Sequence, residues 1–349
     1  MSPSSAAIAF QPAGHPLHTR SLALDAFQED AQRLRVEGTI LDLRKCGFVP
    51  TGGEVQSAGF IHHMHWRCAI DAGGRIERLE IAQPIVAMER SPATGGECCR
   101  DPAPRLQAIV GSAFDDGFGK RLAGVFGGPL GCSHLLTLGQ ALGAFVPRVL
   151  ANPGRAPEAR AAGERVAKQS LVIDGFERPE GGLAIAIQAS EYDLAPRART
   201  EDFLARAAHV REARVLGEVA LADLRLAAIS AAVRERTPAT LSDAAWRDLD
   251  AVVAPLAGGP ALRGMAARIR ARLDGLPASH IHALLAEALL NFAPALIQCM
   301  PALTHRMPAM YASRAANAPA ARPAAMSGGL TDSCYMWRTG SPANGSRIA

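Results

Sequence analysis

The side chains able to do chemistry crowd into the first half of the chain: His62, His63, His65, Cys68, Cys98, Cys99, Cys132 and His134. Thiols and imidazoles serve either as ligands for soft or borderline metals or as nucleophile and base, so the set points to metal ligation or to thiol chemistry. The sharpest segment is Gly131-Cys132-Ser133-His134-Leu135-Leu136. Cys132 stands where a glycine-rich loop, Gly127–Gly131, runs into a helical pattern. Unpaired amides and the positive end of the helix dipole are expected to lower a thiol pKa there and favour thiolate. His134 reads equally as a second ligand, as a general base, or as a structural residue bonding backbone.

The neighbouring motifs are limited by geometry. Phe60–Ile70 reads as a strand, and a period of two sends His63 and His65 to one face and His62 and Met64 to the other, so the three histidines cannot all aim at one ion. Adjacent cysteines rarely ligate the same ion, and of Cys98 and Cys99 the second is preferred. Cys46 and Cys68 have no partner pattern and read as small buried residues.

These positions sit in a chain that repeats itself. Residues 21–27 read SLALDAF and residues 170–176 read SLVIDGF. MERSPAT (Met88–Thr94) parallels RERTPAT (Arg234–Thr240), and from there an offset of 146 sets GPLGCSHLLTL against DGLPASHIHALL. His134 falls on His280, while Cys98, Cys99 and Cys132 fall on Ala244, Ala245 and Ala278. The second copy thus makes an internal substitution experiment: alanine suffices for the fold there, so the thiols of the first copy point to function.

Each copy reads as strands followed by helices, an α+β class of small antiparallel sheet packed on helices. Leu34–Arg44 alternates as a strand, and Phe60–Ile70 and Arg75–Val86 flank Asp71-Ala-Gly-Gly74, a hairpin turn by composition. Pro102–Val110 reads as a short helix. Leu135, Leu138, Leu142, Phe145 and Val149 recur at helical spacing, with Pro147 expected to end or kink that helix. The expected organisation is a flexible start at 1–17, a first copy at 18–150, a polar linker at 151–167, a degenerate second copy at 168–300, a flexible Pro/Ala-rich linker at 301–331, and a tail at 332–349 that can dock on the first copy.

Composition bounds the setting. The chain has 349 residues, 48% hydrophobic and 20% charged, with a formal net charge of +4. No Lys/Arg cluster with interleaved aromatics favours nucleic acid. No basic start with a long apolar run and no stretch of about eighteen apolar residues favours export or a membrane span. Seven cysteines, an odd number, fit reduced thiols rather than a disulfide framework, so a cytoplasmic location is expected.

Taken together, IHHM, Cys99 with RDPAPRLQAIVG, GGPLGCSHL and DSCYMWRTG resemble a bacterial family known only as a domain of unknown function. Its pattern is His-x-Met on a strand, a Cys twelve residues before a Gly, a Gly-Cys-Thr/Ser-His-Leu loop, and a late Ser/Thr-Cys near Arg and Gly. Those positions are His62 and Met64, Cys99 and Gly111, Cys132 and His134, and Cys334; His18-Thr19-Arg20 and Asp42 also fit. In the family the late Cys follows soon after the helix, whereas here the second copy intervenes. Cys334 joins the first-copy site only if the tail folds back, at a modest entropic cost of about 0.6 kcal/mol per doubling of loop length. More distantly, the order of strand hairpin, Cys, helix, Gly and a Cys opening the last helix is similar to U-type scaffolds for iron–sulfur cluster assembly. That resemblance implies His62, Cys99 and Cys132, with His134 or Cys334, as ligands for zinc, iron or an iron–sulfur cluster.

Three functions follow. The leading one is a metal- or iron–sulfur-binding protein, with a metal-dependent enzyme as a subset. The second is a thiol enzyme of acyl transfer or hydrolysis, with Cys132 as nucleophile and His134 as base. The third is a non-catalytic interaction module. The expected partners are a metal ion and an unidentified small molecule or protein, and neither substrate nor oligomeric state is legible.

Overall fold

The alternation of the strands sets the architecture. In β1 (His15–Gln28), His18, Arg20, Leu22, Leu24, Ala26 and Gln28 are buried while the residues between them are half-buried. In β2 (Arg33–Arg44) the buried phase is Leu34, Val36, Gly38, Ile40, Asp42 and Arg44. A period of two therefore gives one face to the core, and it carries two apolar runs ending in charge. The computed structural model describes residues 12–306, apart from positions 48, 52, 53 and 57, and residues 330–345.

The first half adds a small separate hairpin, β3 (Val49–Thr51) and β4 (Glu54–Gln56), then β5 (Gly59–Asp71) and β6 (Ile76–Ile85) around the expected turn. The second half supplies β7 (Arg165–Glu177), β8 (Leu183–Leu194), β9 (Ala207–Val219), β10 (Leu226–Arg236) and the short β11 (Arg247–Asp248). All pair antiparallel in one nine-stranded sheet of order β11-β10-β9-β8-β7-β1-β2-β5-β6. The two halves thus share one sheet, joined where β1 meets β7 with Leu22 opposite Leu171.

Helices cover the buried face. The first half contributes α1 (Phe118–Phe126) and α2 (Ser133–Ala151). The second contributes single turns α3 (Phe203–Arg206) and α4 (Asp250–Val253), then α5 (Met265–Leu273), α6 (His280–Leu290) and α7 (Phe292–Cys299). α2 packs on β1, β2 and β5, α6 on β8, β9 and β10, and α7 on β7, β8 and across the join on β1. Glycines allow α2 its close approach: a Cβ at Gly38 would lie 2.9 Å from Leu138, and one at Gly139 2.9 Å from Trp66.

Several boundaries differ from the sequence reading. Pro147 does not end α2, which runs on to Ala151. The short helix expected at Pro102–Val110 is a 3-10 helix over Ala103–Ile109. β1 begins at His15, inside the expected 1–17 start, and β7 at Arg165, inside the expected 151–167 linker. Of the expected 301–331 linker, positions 307–329 lie outside the described residues, as do 1–11 and 346–349. One helical run, His280–Leu303, is long and apolar enough to cross a membrane by composition, but 67% of its most apolar window is buried in the fold.

The second half buries a row of charge beneath α6. Arg148 of α2 reaches Glu191 at 2.6 Å and Glu287 at 2.6 Å, and Gln169 bonds both Arg148 and Glu287. Arg211 pairs with Glu191 at 3.1 Å and Asp193 at 2.8 Å. Burial raises the Glu287 carboxyl above its ordinary range, against the pull of Arg148. The folded state then holds that proton more tightly than the unfolded chain. This contribution favours the fold below the ordinary glutamate value and is lost as pH rises through the folded one. The difference in unfolding free energy between wild type and Glu287→Gln should therefore move in favour of wild type as pH falls from 7 to 4, measured by urea unfolding.

Candidate functional site

Strand register assembles the centre of the site. Arg20 on β1 stands opposite Asp42 on β2, and Asp42 stands opposite His62 on β5, all on the buried face. Cross-strand neighbours have Cβ atoms about 4.5–5.5 Å apart, so three polar side chains in one row must meet. His18 and Arg44 form the next buried row, again opposite each other.

Asp42, fully buried, is the hub. Its Oδ1 accepts from Arg20 Nε at 2.8 Å and from His18 Nε2 at 2.9 Å, and its Oδ2 accepts from Arg20 Nη2 at 3.0 Å. His134 Nε2 and His62 Nδ1 lie 3.2 and 3.3 Å from Oδ2. Burial would raise this carboxyl, but the Arg20 guanidinium and the contacts from His134, His18 and His62 hold it well below the usual carboxylate range. An ionised carboxylate offers about four lone-pair sites. His62 Nδ1 is accordingly left buried without a hydrogen bond.

The helices and the tail complete the pocket. α2 begins at the glycine-rich loop, with Cys132 as its N-cap and His134 as its second residue. The His62 and His134 rings stack with centroids 3.7 Å apart. A carboxylate against Nε2 of His134 places the ring proton on that nitrogen and leaves the Nδ1 lone pair facing outward. Cys132 Sγ lies 3.9 Å from that Nδ1. From the second half, α7 brings the Gln298 amide to 3.3 Å from His134 Nε2. The C-terminal segment docks on the first half: the Tyr335 amide donates to Gly131 O at 2.8 Å, Arg338 pairs with Glu97, and Met336 and Trp337 pack with Met88.

A cavity of about 270 Å³ results, and His62, Cys99, Cys132, His134 and Cys334 all line it. The five residues expected from sequence are thus brought to one place, with Cys334 arriving from the far end of the chain. Among the described residues, however, the tightest set of ligand atoms is Asp42, His62 and His134, all within 4.8 Å of one another. That set includes an aspartate the sequence reading tied only to a family pattern. Arg20, which also lines the cavity, was tied only to the same pattern, and Arg44 and Gln298, two more of its lining residues, were missed. Asp42, Arg20 and Arg44 had a usable signal, since each is a charged residue in the buried phase of an alternating strand. Gln298 had none, because only packing brings α7 over β1.

The other expectations sort by face. His63 and His65 point to the opposite side of the sheet, their rings 4.3 Å apart. Cys98 turns toward Glu89, at 3.7 Å, and Cys68 lies in the core. The expected thiolate at the helix start is reversed. Burial pushes the Cys132 thiol up to about 12, outweighing the amides of Leu135 and His134. Burial, then the neighbouring thiols of Cys132 and Cys334, raises Cys99 well above its ordinary value. Burial, then the neighbouring His62 ring, lowers His134 to about 3. A neutral imidazole beside a protonated thiol is not poised as a thiolate–imidazolium pair, whereas neutral imidazole is the form that ligates metals.

The second half builds its corresponding row differently. Gln169, Glu191 and Arg211 stand opposite one another on β7, β8 and β9 as Arg20, Asp42 and His62 do on β1, β2 and β5. There the Arg148 guanidinium joins the carboxylate, so ion pairs take the place of imidazoles and thiols.

Residues 18–146 match the model of a family described as a protein of unknown function (DUF2889), in keeping with the expected likeness to such a family. The matched span contains Arg20, Asp42, His62, Cys99, Cys132 and His134, while Gln298 and Cys334 fall outside it. No curated protein and no solved structure matches the chain.

Replacing Asp42 with Asn would leave the buried Arg20 charge uncompensated. The expected loss of stability is about 3–5 kcal/mol, read from urea unfolding. An Arg20→Met, Asp42→Leu double variant should recover most of that loss, since apolar replacement of both members of a buried pair is often nearly neutral.

Proposed function

We propose that the first-half pocket binds a transition-metal ion through imidazole and thiolate donors, with Asp42 orienting His134. The observation that carries this reading is the meeting of His62 and His134 with Cys99, Cys132 and Cys334 around one cavity. The donor chemistry fits. Bonds of about 2.0–2.3 Å at tetrahedral angles set ligand atoms roughly 3.3–3.8 Å apart, and Cys132 Sγ to His134 Nδ1 is 3.9 Å. His62 Nε2 takes no hydrogen bond and is not among the sealed polar atoms, so it is open to the cavity.

Asp42 itself belongs to the triad that could hold an ion, but its oxygens are already engaged by Arg20 and His18. A carboxylate so occupied serves better behind a ligand than as one, in the carboxylate–histidine arrangement that fixes the tautomer and raises ligand basicity. A mixed Cys/His set suits zinc or iron, including an iron–sulfur cluster. When bound, the ion would stabilise the thiolates that burial otherwise disfavours.

The second half is read as a diverged copy that kept the fold and gave up the site. Support comes from the matched rows of Arg20-Asp42-His62 and Gln169-Glu191-Arg211. Further support comes from the paired one-turn capping boxes at Ser91–Thr94 and Thr237–Thr240. Its role would be to support the pocket through α7.

Elemental analysis of untagged protein, with an anaerobic absorption spectrum, tests the reading. Near-stoichiometric zinc or iron is expected in the wild type, and less than about a tenth of it in Cys132→Ala. Asp42→Asn should keep the donors but weaken metal affinity by about 10–100-fold. Metal-free wild-type protein from metal-replete cells would overturn it.

A further inference from the structure

The cavity is larger than an ion needs. A structural metal is enclosed by its ligands, whereas a site that works on a ligand keeps space beside them. Here about 270 Å³ adjoins the imidazoles and thiols, near the lower edge of the roughly 300–1,000 Å³ typical of small-molecule pockets. Its walls come from three parts of the chain: the first half, α7 with Ile297, and the C-terminal segment with Met336 and Trp337. A junction between structural units is a common place for such a pocket.

The lining has a definite chemistry. Most of it is apolar, through residues such as Met88, Ile297, Met336 and Trp337. Its charged members are both guanidinium groups, Arg20 and Arg44, and no carboxylate lines the cavity among the described residues. Arg44 is 3% exposed and donates to the Gln298 carbonyl at 3.4 Å, which helps fix the guanidinium at the wall. Low-dielectric walls strengthen the attraction of such groups for an anion. A guanidinium also matches a carboxylate in shape and hydrogen bonding.

We infer that the pocket binds a small organic monocarboxylate, its acid group toward Arg44, since Arg20 is already matched by Asp42, and its apolar body against α7 and the C-terminal segment. The inference extends the metal reading because both share one pocket, and the two can fail separately.

The probes are 4-fluorobenzoate and its neutral counterpart 4-fluorobenzamide. Binding is followed by fluorine NMR and calorimetry on the full chain, both as purified and after chelator treatment. The acid is expected to bind at least about tenfold more tightly than the amide, the scale of a charge-assisted hydrogen bond. Arg44→Gln should erase most of that preference. Ile297→Trp fills the cavity from a half-buried position without removing charge or a candidate metal donor, and it should abolish binding of both probes while metal content stays at the wild-type level. It also serves if Arg44→Gln fails to fold. Equal binding of acid and amide, binding that survives Ile297→Trp, or no binding in either metal state would overturn the inference. Selective acid binding by a protein that never carries metal would sustain it and remove the metal reading. Bound metal without acid binding would do the reverse.

Discussion

A carboxylate with no access to water stays ionised only if positive charge is built against it, and the arrangement of this protein's pocket follows from that requirement at Asp42. Arg20 meets both of its oxygens, and His18 takes a further lone pair. The cost of burying the pair is offset by good geometry and by hydrogen bonds on both partners. What remains of the carboxylate faces His62 and His134, so one charge on β2 lies against two imidazoles from separate elements. The antiparallel register brings Asp42 and His62 together once the row Arg20-Asp42-His62 is on the buried face.

Everything beyond that row is delivered by packing. The small residues Gly38 and Gly139 let α2 sit close on the sheet, which lowers His134 and Cys132 to the level of Asp42. The pairing of β1 with β7 brings the second half alongside, and α7 then crosses over the join to place Gln298 and Ile297. The C-terminal segment closes the remaining side, tied to Glu97 and Gly131. The pocket therefore draws on both halves and on the tail, although its reactive groups, Cys334 apart, belong to the first half.

The second half shows what the same frame does with other residues. Its row holds Glu191 where the first holds Asp42, but Arg148 and Arg211 meet it instead of imidazoles. A guanidinium cannot give up its proton in a protein, so the groups that meet this carboxylate hold charge but offer a metal no lone pair of their own. The two rows separate a stabilising ion-pair network from a site with chemical potential on one sheet.

Much of this was legible in the residues. Alternation in residues 34–44 and 60–70, the turn at Asp71–Gly74 and the leucine stripe after Gly131 determined the strands and α2, because periodicity follows from which face must leave water. The same alternation determined that His62 and Met64 part company from His63 and His65. Charges at Arg20, Asp42 and Arg44, in phase with leucine and isoleucine, carried the signal of a buried polar centre, although the motif reading passed over it. The tertiary structure alone decided the rest. That β1 and β7 would fuse the halves, that α7 would carry Gln298 to His134, and that Cys334 would return to Cys99 and Cys132 all depend on contacts between segments far apart in the chain. Cys132 shows why such contacts matter: its position at a helix start argued for a thiolate, and its burial, which no local pattern encodes, reversed the balance.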